Sequence, residues 1–281
     1  AGNNDFIACI GFFDMAWFAV NFSWNQTDCT NKHQRLARET IIEIYESLRR
    51  WNAGTISAGL YARNNFGTDL TISAASVSGS RNGIDARNYG TGDLLVAATG
   101  SVTGTTGRGI YATNAGSKLD VNVAGVTGAT DGIYARNNGA GALSVTATGH
   151  VTGTSSYGVY ALNASSGTDL TVSTASASGG LIGISAINYG SGALSVRSTG
   201  RVTGGNYGIM ADNYSGTDLT ISAASVSGGM GIYARNRGTG DLSVTATGPV
   251  AGTTFGGIFT MNDSTGENLD ITVGDVTGAT Y

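Results

Sequence analysis

From Gly59 onward, apolar and polar residues alternate in three short runs that return about every 25 residues. The first run opens on the motif Gly, aliphatic, any residue, small, any residue, Asn. It occurs at Gly59, Gly83, Gly109, Gly132, Gly158, Gly183, Gly208, Gly231 and Gly257, at steps of 24, 26, 23, 26, 25, 25, 23 and 26 residues. The aliphatic and small positions are two apart, so they share one strand face. The second run starts with leucine in every period, from Leu70 to Leu269, with Ile or Val two residues later; the third is Val, or Ala177 in one period, with Gly two residues later. A fixed period of this length predicts a solenoid. Three inward-pointing strands per turn, joined by glycine-rich corners, predict an all-β fold, a single-stranded parallel β-helix of about nine rungs. Four buried aliphatics contribute about 6 to 12 kcal/mol per rung. Ordering about 25 residues costs at least as much, so rungs hold only by stacking on one another.

Asparagine closes the first run in every period, at Asn64, Asn88, Asn114, Asn137, Asn163, Asn188, Asn213, Asn236 and Asn262. The spacing predicts a structural ladder of amides bonded from rung to rung, with a residue type that tolerates sharp corners. Even periods carry a longer corner after the second run, as in Ala98-Thr99-Gly100 and Ala147-Thr148-Gly149, which odd periods abbreviate. The duplicated unit is therefore read as two rungs.

Residues 1–52 are different material from residues 53–281, and the chain divides there. Trp17, Trp24, Trp51, Cys9 and Cys29 all fall in the first part, whereas Glu267 and Lys118 are the sole glutamate and lysine beyond Asn52. Residues 6–20 are apolar, but Asp14 interrupts them and the run is shorter than the roughly 20 residues of a membrane-spanning helix. A buried core segment is the preferred reading, over a span or a targeting piece. Residues 33–51 place Leu36, Ile41, Ile44, Tyr45, Leu48 and Trp51 at mostly three- and four-residue steps, which predicts an amphipathic helix. Bare strand edges recruit other chains, so this helix is expected to cap the first rung and limit self-association; a tethered small domain is the competing reading. Cys9 and Cys29 read either as one disulfide or as two buried thiols.

Composition narrows the function. Glycine supplies 45 of 281 residues, about twice its usual share of roughly 7%, with a single proline and no every-third spacing, which excludes collagen. A net charge of -4 with 12% charged residues excludes a basic nucleic-acid surface. A polysaccharide-active β-helix enzyme would need clustered carboxylates. The candidates Asp69, Asp93, Asp169, Asp218 and Asp241 share the slot before the rung leucine, which reads as inherited corner solvation. Calcium shared by Asp69 and Asp93, or by Asp218 and Asp241, lacks the glycine-rich nonapeptide, and His33 and His150 lie too far apart for a metal motif. No catalytic residue, metal or cofactor is expected.

The outward positions say more. After the first aliphatic come Tyr61, Tyr111, Tyr134, Tyr160, Tyr233 and Phe259, and two residues further Arg63, Arg87, Arg136 and Arg235. Of these, Tyr61, Arg63, Tyr111, Tyr134, Arg136, Tyr160, Tyr233 and Arg235 are the binding candidates. Aromatic planes and guanidinium groups in a row suit a glycan or an anionic polymer; the competing reading is self-stacking that covers the strand face. The second run offers hydroxyl pairs such as Thr71/Ser73, Ser144/Thr146, Thr171/Ser173, Thr220/Ser222 and Ser243/Thr245, the raw material of an ice-binding face, interrupted by Leu95, Asp120 and Arg197.

Segments such as Gly132-Ile133-Tyr134-Ala135-Arg136-Asn137, followed by the run from Leu143 to Gly153, resemble the repeats of autotransporter (type V secretion) passenger domains. The resemblance covers residues 59–281. It implies a right-handed parallel β-helix displayed on a Gram-negative cell surface or released from it, often as an adhesin. The expected protein is thus a non-catalytic rod at the bacterial surface or outside the cell. Its partners would be glycans, a host or neighbouring cell surface, or a second copy of itself by self-association, without nucleic acid and without a membrane span in this chain. An ice-binding solenoid and a polysaccharide-active enzyme are the alternatives.

Overall fold

The structure, a computed structural model, describes residues 39–43, 58–263 and 265–279. They form a parallel β-solenoid of about nine turns built from two sheets. The first sheet takes one strand from the first run of every period: Ala58–Asn64, Asn82–Asn88, Ile110–Asn114, Ile133–Asn137, Tyr157–Asn163, Ile182–Asn188, Tyr207–Asn213, Met230–Asn236 and Ile258–Asn262. It is called the asparagine sheet below. The second sheet has 13 strands and carries the other two runs. Pairing is in register from turn to turn. Leu143 stands opposite Leu119 on one side and Leu170 on the other, and Asn137 opposite Asn114 and Asn163. Among the described residues there is no helix, and hence none long and apolar enough to cross a membrane.

The inward columns are the predicted ones. Leu70, Leu94, Leu119, Leu143, Leu170, Leu194, Leu219 and Leu242 are fully buried, as are the aliphatics from Ile84 to Ile232 in the asparagine sheet. Each turn covers the open side of the one before it. In the last turn Leu269, Ile271 and Val276 stand 45 to 47% exposed. Glycine is required where the inner face turns between sheets. A Cβ on Gly128 would overlap the carbonyl of Asp131, and one on Gly132 would lie 2.6 Å from a methyl of Val151.

Three strands per turn were expected, but in the middle turns the second and third runs merge. Leu94–Gly104, Leu119–Gly128, Leu143–Gly153, Leu170–Gly179, Leu194–Gly204 and Leu219–Gly228 are single strands. The corner between the runs is a β-bulge. Ala147 to Val151 spans the same stretch as Val123 to Val126 of the preceding turn, so the even turn holds one residue more. The same shift recurs at Ala98/Ser101 and Ser198/Arg201. A bulge absorbs one extra residue while the ladder continues on both sides. The two-rung repeat is therefore an alternation of bulged and unbulged turns.

The predicted helix over 33–51 is corrected where the structure describes it. Glu39–Glu43 is a strand, parallel to Asp69–Ala74 and in register from Glu39 opposite Asp69 to Glu43 opposite Ser73. The first turn presents a row of unpaired N–H and C=O groups that a strand satisfies and a helix does not. Thr40, Ile41 and Ile42 are β-branched and suit that role. The rest of 33–51, the apolar run 6–20, His33, Cys9 and Cys29 lie outside the described residues.

Candidate binding face

The edge column of the asparagine sheet is a continuous chain of side-chain hydrogen bonds. Each Asn Nδ2 donates to the Oδ1 of the next turn, from Asn64 to Asn88 at 2.8 Å and onward through Asn114, Asn137, Asn163, Asn188 and Asn213 to Asn236 at 3.0 Å. The same amides also clamp their own corners, which the sequence reading missed. Asn137 Nδ2 donates to Gly141 O at 2.9 Å, and Asn137 Oδ1 accepts from Gly139 N at 3.2 Å. Both donors and the carbonyl are in use on a buried side chain, which only an amide of this length provides. Asn262 departs from the ladder: its Oδ1 is buried without a partner.

Outside this column lies the predicted face. Tyr111, Tyr134 and Tyr160 stand opposite one another on consecutive turns, with ring centroids 5.2 and 4.8 Å apart and planes within 23°. Tyr233 stacks on Phe259 at 5.1 Å. The column is broken elsewhere, by Asp85 next to Tyr61 and by Ser185 and Met210 between Tyr160 and Tyr233. The eight candidates therefore form three groups: Tyr61 with Arg63, then Tyr111, Tyr134, Arg136 and Tyr160, then Tyr233 with Arg235. Rings stacked along the rod cover each other's faces. Burial among neighbouring rings pushes the Tyr160 phenol up to about 12, so it stays a neutral donor.

Most arginines on this face are held internally. Arg87 binds Asp85 through two nitrogens at 2.7 and 3.0 Å, and this hydrogen-bonded pairing raises the guanidinium pKa against the opposing effect of burial. Arg108 binds Asp131 at 2.7 Å and lies over the rings of Tyr111 and Tyr134, 5.0 and 4.6 Å from their centroids. Arg235 reaches Asp263 at 3.1 Å. Arg63 and Arg136 instead use Nε to hold the amide oxygens of Asn65 and Asn138, at 2.7 and 2.8 Å. Beside Arg108 an open groove of about 380 Å³ is lined by Arg81, Asn82, Thr106, Thr130, Asp131 and Ser155.

Sequence reading missed the tyrosines one place beyond the ladder asparagine. Tyr189 stacks on Tyr214 at 4.4 Å, and Arg237 covers Tyr214 at 4.0 Å. Near them Asp212 is buried; desolvation pushes its carboxyl up, opposed by Arg237 and Arg235. Arg63 lies over Tyr89 at 4.8 Å. This position carries Asn, Tyr, Ala, Arg or Asp in different turns, so no column betrayed it.

The aspartates before the rung leucines have structural work. Asp69 Oδ1 accepts from Asp93 N at 2.7 Å, Asp169 Oδ1 from Ala193 N at 2.8 Å, and Asp218 Oδ1 from Asp241 N at 2.9 Å. On the second sheet a hydroxyl column runs in register through Ser78, Thr103, Thr127, Thr152, Ser178, Thr203 and Ser227. His150 bonds to Ser176 and to Ser178 of that column, at 2.7 and 3.2 Å.

Comparison with family models, curated proteins and solved structures finds no match for the chain.

Proposed function

We propose that this segment is a non-catalytic, carbohydrate-binding rod that works at or beyond a bacterial cell surface, in the manner of the autotransporter passenger repeats it resembles. One observation carries the reading: the rings of Tyr111, Tyr134 and Tyr160 stand in register on one face, with the exposed Arg136 among them and the amide ladder running along the same strands. Donors fixed before a ligand arrives lose little entropy when it binds. A polymer of sugars offers repeated acceptors to match a repeated surface. The absence of catalysis is supported by the aspartates, whose oxygens hold backbone N–H groups of the next turn. Glu39–Glu43, paired along the edge of Asp69–Ala74, is assigned the cap of the first turn.

A glycan array at low salt tests this reading. Specific binding is expected from the parent and its loss from Tyr134→Ala; an array on which the folded parent binds nothing rejects it. The seven-turn hydroxyl column supports a second reading, ice binding, for which thermal hysteresis is the readout. His150 draws two neighbouring hydroxyls into its own bonds, so the column is less free to template water than its spacing implies.

A further inference from the structure

The corner position beyond the ladder asparagine carries Tyr89, Ala115, Asn138, Ala164, Tyr189 and Tyr214 on six consecutive turns. Their N–H groups bond in sequence to the carbonyls of Asn64, Asn88, Asn114, Asn137, Asn163 and Asn188, so the six stand in a row. Tyr89 and Tyr189 are 48 and 38% exposed. Each is covered on the side away from the other, Tyr89 by the guanidinium of Arg63 and Tyr189 by the ring of Tyr214. Their remaining faces look toward each other across Ala115, Asn138 and Ala164. Four turns at about 4.8 Å put roughly 19 Å between them. The stack of Tyr111, Tyr134 and Tyr160, three positions before the ladder asparagine on the same strands, borders this trough.

Arg136 stands midway, two turns from either end, and is exposed. Its Nε is fixed by Asn138, and that bond uses neither terminal nitrogen. Among the described residues no carboxylate lies within ion-pair distance of it, whereas Arg87 and Arg108 on this stretch are neutralised by Asp85 and Asp131. A guanidinium anchored at Nε presents a two-pronged edge that matches a carboxylate. Open ring faces on either side match the C–H faces of sugar rings.

We propose that this trough is a subsite for a carboxylated sugar within a polysaccharide. Arg136 takes the carboxylate, and Tyr89 and Tyr189 stack the sugars on either side. The assignment rests on the carbohydrate-binding reading and narrows it to uronate-bearing chains. It also explains why Asn138 interrupts two alanines: its amide aims the guanidinium.

Calorimetry on the full chain tests it, with oligomers of galacturonate, glucuronate and mannuronate, each against its carboxyl-reduced form. At least one acidic oligomer is expected to bind about ten-fold or more tighter than its neutral form, an advantage that falls with added salt. Arg136→Gln should erase the difference between acidic and reduced forms while leaving the melting temperature unchanged. Tyr89→Ala and Tyr189→Ala should weaken both forms. Arg201→Gln removes the same charge from the second sheet and should bind as the parent does. Equal affinity for acidic and reduced forms, or Arg136→Gln binding as the parent does, overturns the uronate subsite and leaves carbohydrate binding standing. If no acidic oligomer binds while neutral glycans on the array do, the subsite is likewise wrong; silence toward every glycan removes both readings.

Discussion

At the scale of single residues, the ladder asparagines show how much one side chain carries. Asn137 donates to Gly141 O and Asn163 Oδ1 and accepts from Asn114 Nδ2 and Gly139 N. Asn137→Asp keeps the shape and removes both donors. The carboxylate would then face two acceptors in a buried site, a loss of about 3 kcal/mol or more where it is charged. Protonation restores one donor, so the deficit relative to the parent should be largest at neutral pH and shrink as pH falls through the carboxyl range. Melting of both proteins at several pH values checks this; a deficit that does not change with pH contradicts the amide geometry. The ladder itself was legible because one residue type recurs at one slot. Its second duty, closing the corner, was not, since the partners are backbone atoms. The arginine pairings were hidden for a related reason. Asp85 occupies a slot that other turns fill with Tyr, Ser, Met or Phe, and Asp131 one that ranges from Ala and Gly to Tyr, Ile and Arg; a pattern made by repetition says nothing about partners that occur once.

The elements were read correctly where a period of two governs and misread where a neighbour decides. Alternation placed the inward Leu, Ile and Val columns, yet it does not say whether two successive runs form one strand or two. Pairing with adjacent turns decides that, and here it carries the strand through the bulge. Residues 39–43 make the same point more sharply. Their three- and four-residue spacing favours a helix in isolation, and the open edge of Asp69–Ala74 recruits them as a strand. The bulge also yields a test. The turns on both sides of Leu143–Gly153 span the corner with one residue fewer. Deleting Thr148 should therefore match that turn to its neighbours without disturbing any inward column. Its melting temperature should stay within about 4 °C of the parent, equivalent to roughly 1 kcal/mol. Deleting Ser144 instead reverses inside and outside across the strand and should abolish cooperative melting. Equal damage from the two deletions would mean that the bulge sets the register instead of absorbing a spare residue.

At the scale of the solenoid, stability is a sum over neighbouring turns, so the same substitution costs different amounts at different heights. Leu143 is fully buried between Leu119 and Leu170, whereas Leu269 occupies the equivalent slot in the last turn and is 47% exposed. Aspartate at 143 must desolvate a charge among stacked leucines or take up a proton, at a cost of several kcal/mol. At 269 the same carboxylate has access to water. Leu143→Asp should therefore weaken the interfaces on both sides and open the middle of the rod. Hydrogen exchange should show protection lost first along 119–123 and 170–174, while the first and last turns persist. Leu269→Asp should leave exchange over 94–204 as in the parent and affect only the turn it pairs with, Leu242–Ala246. A uniform loss of protection along the whole rod from either substitution would mean that the turns melt as one unit, and the neighbour-by-neighbour account of this fold would be wrong.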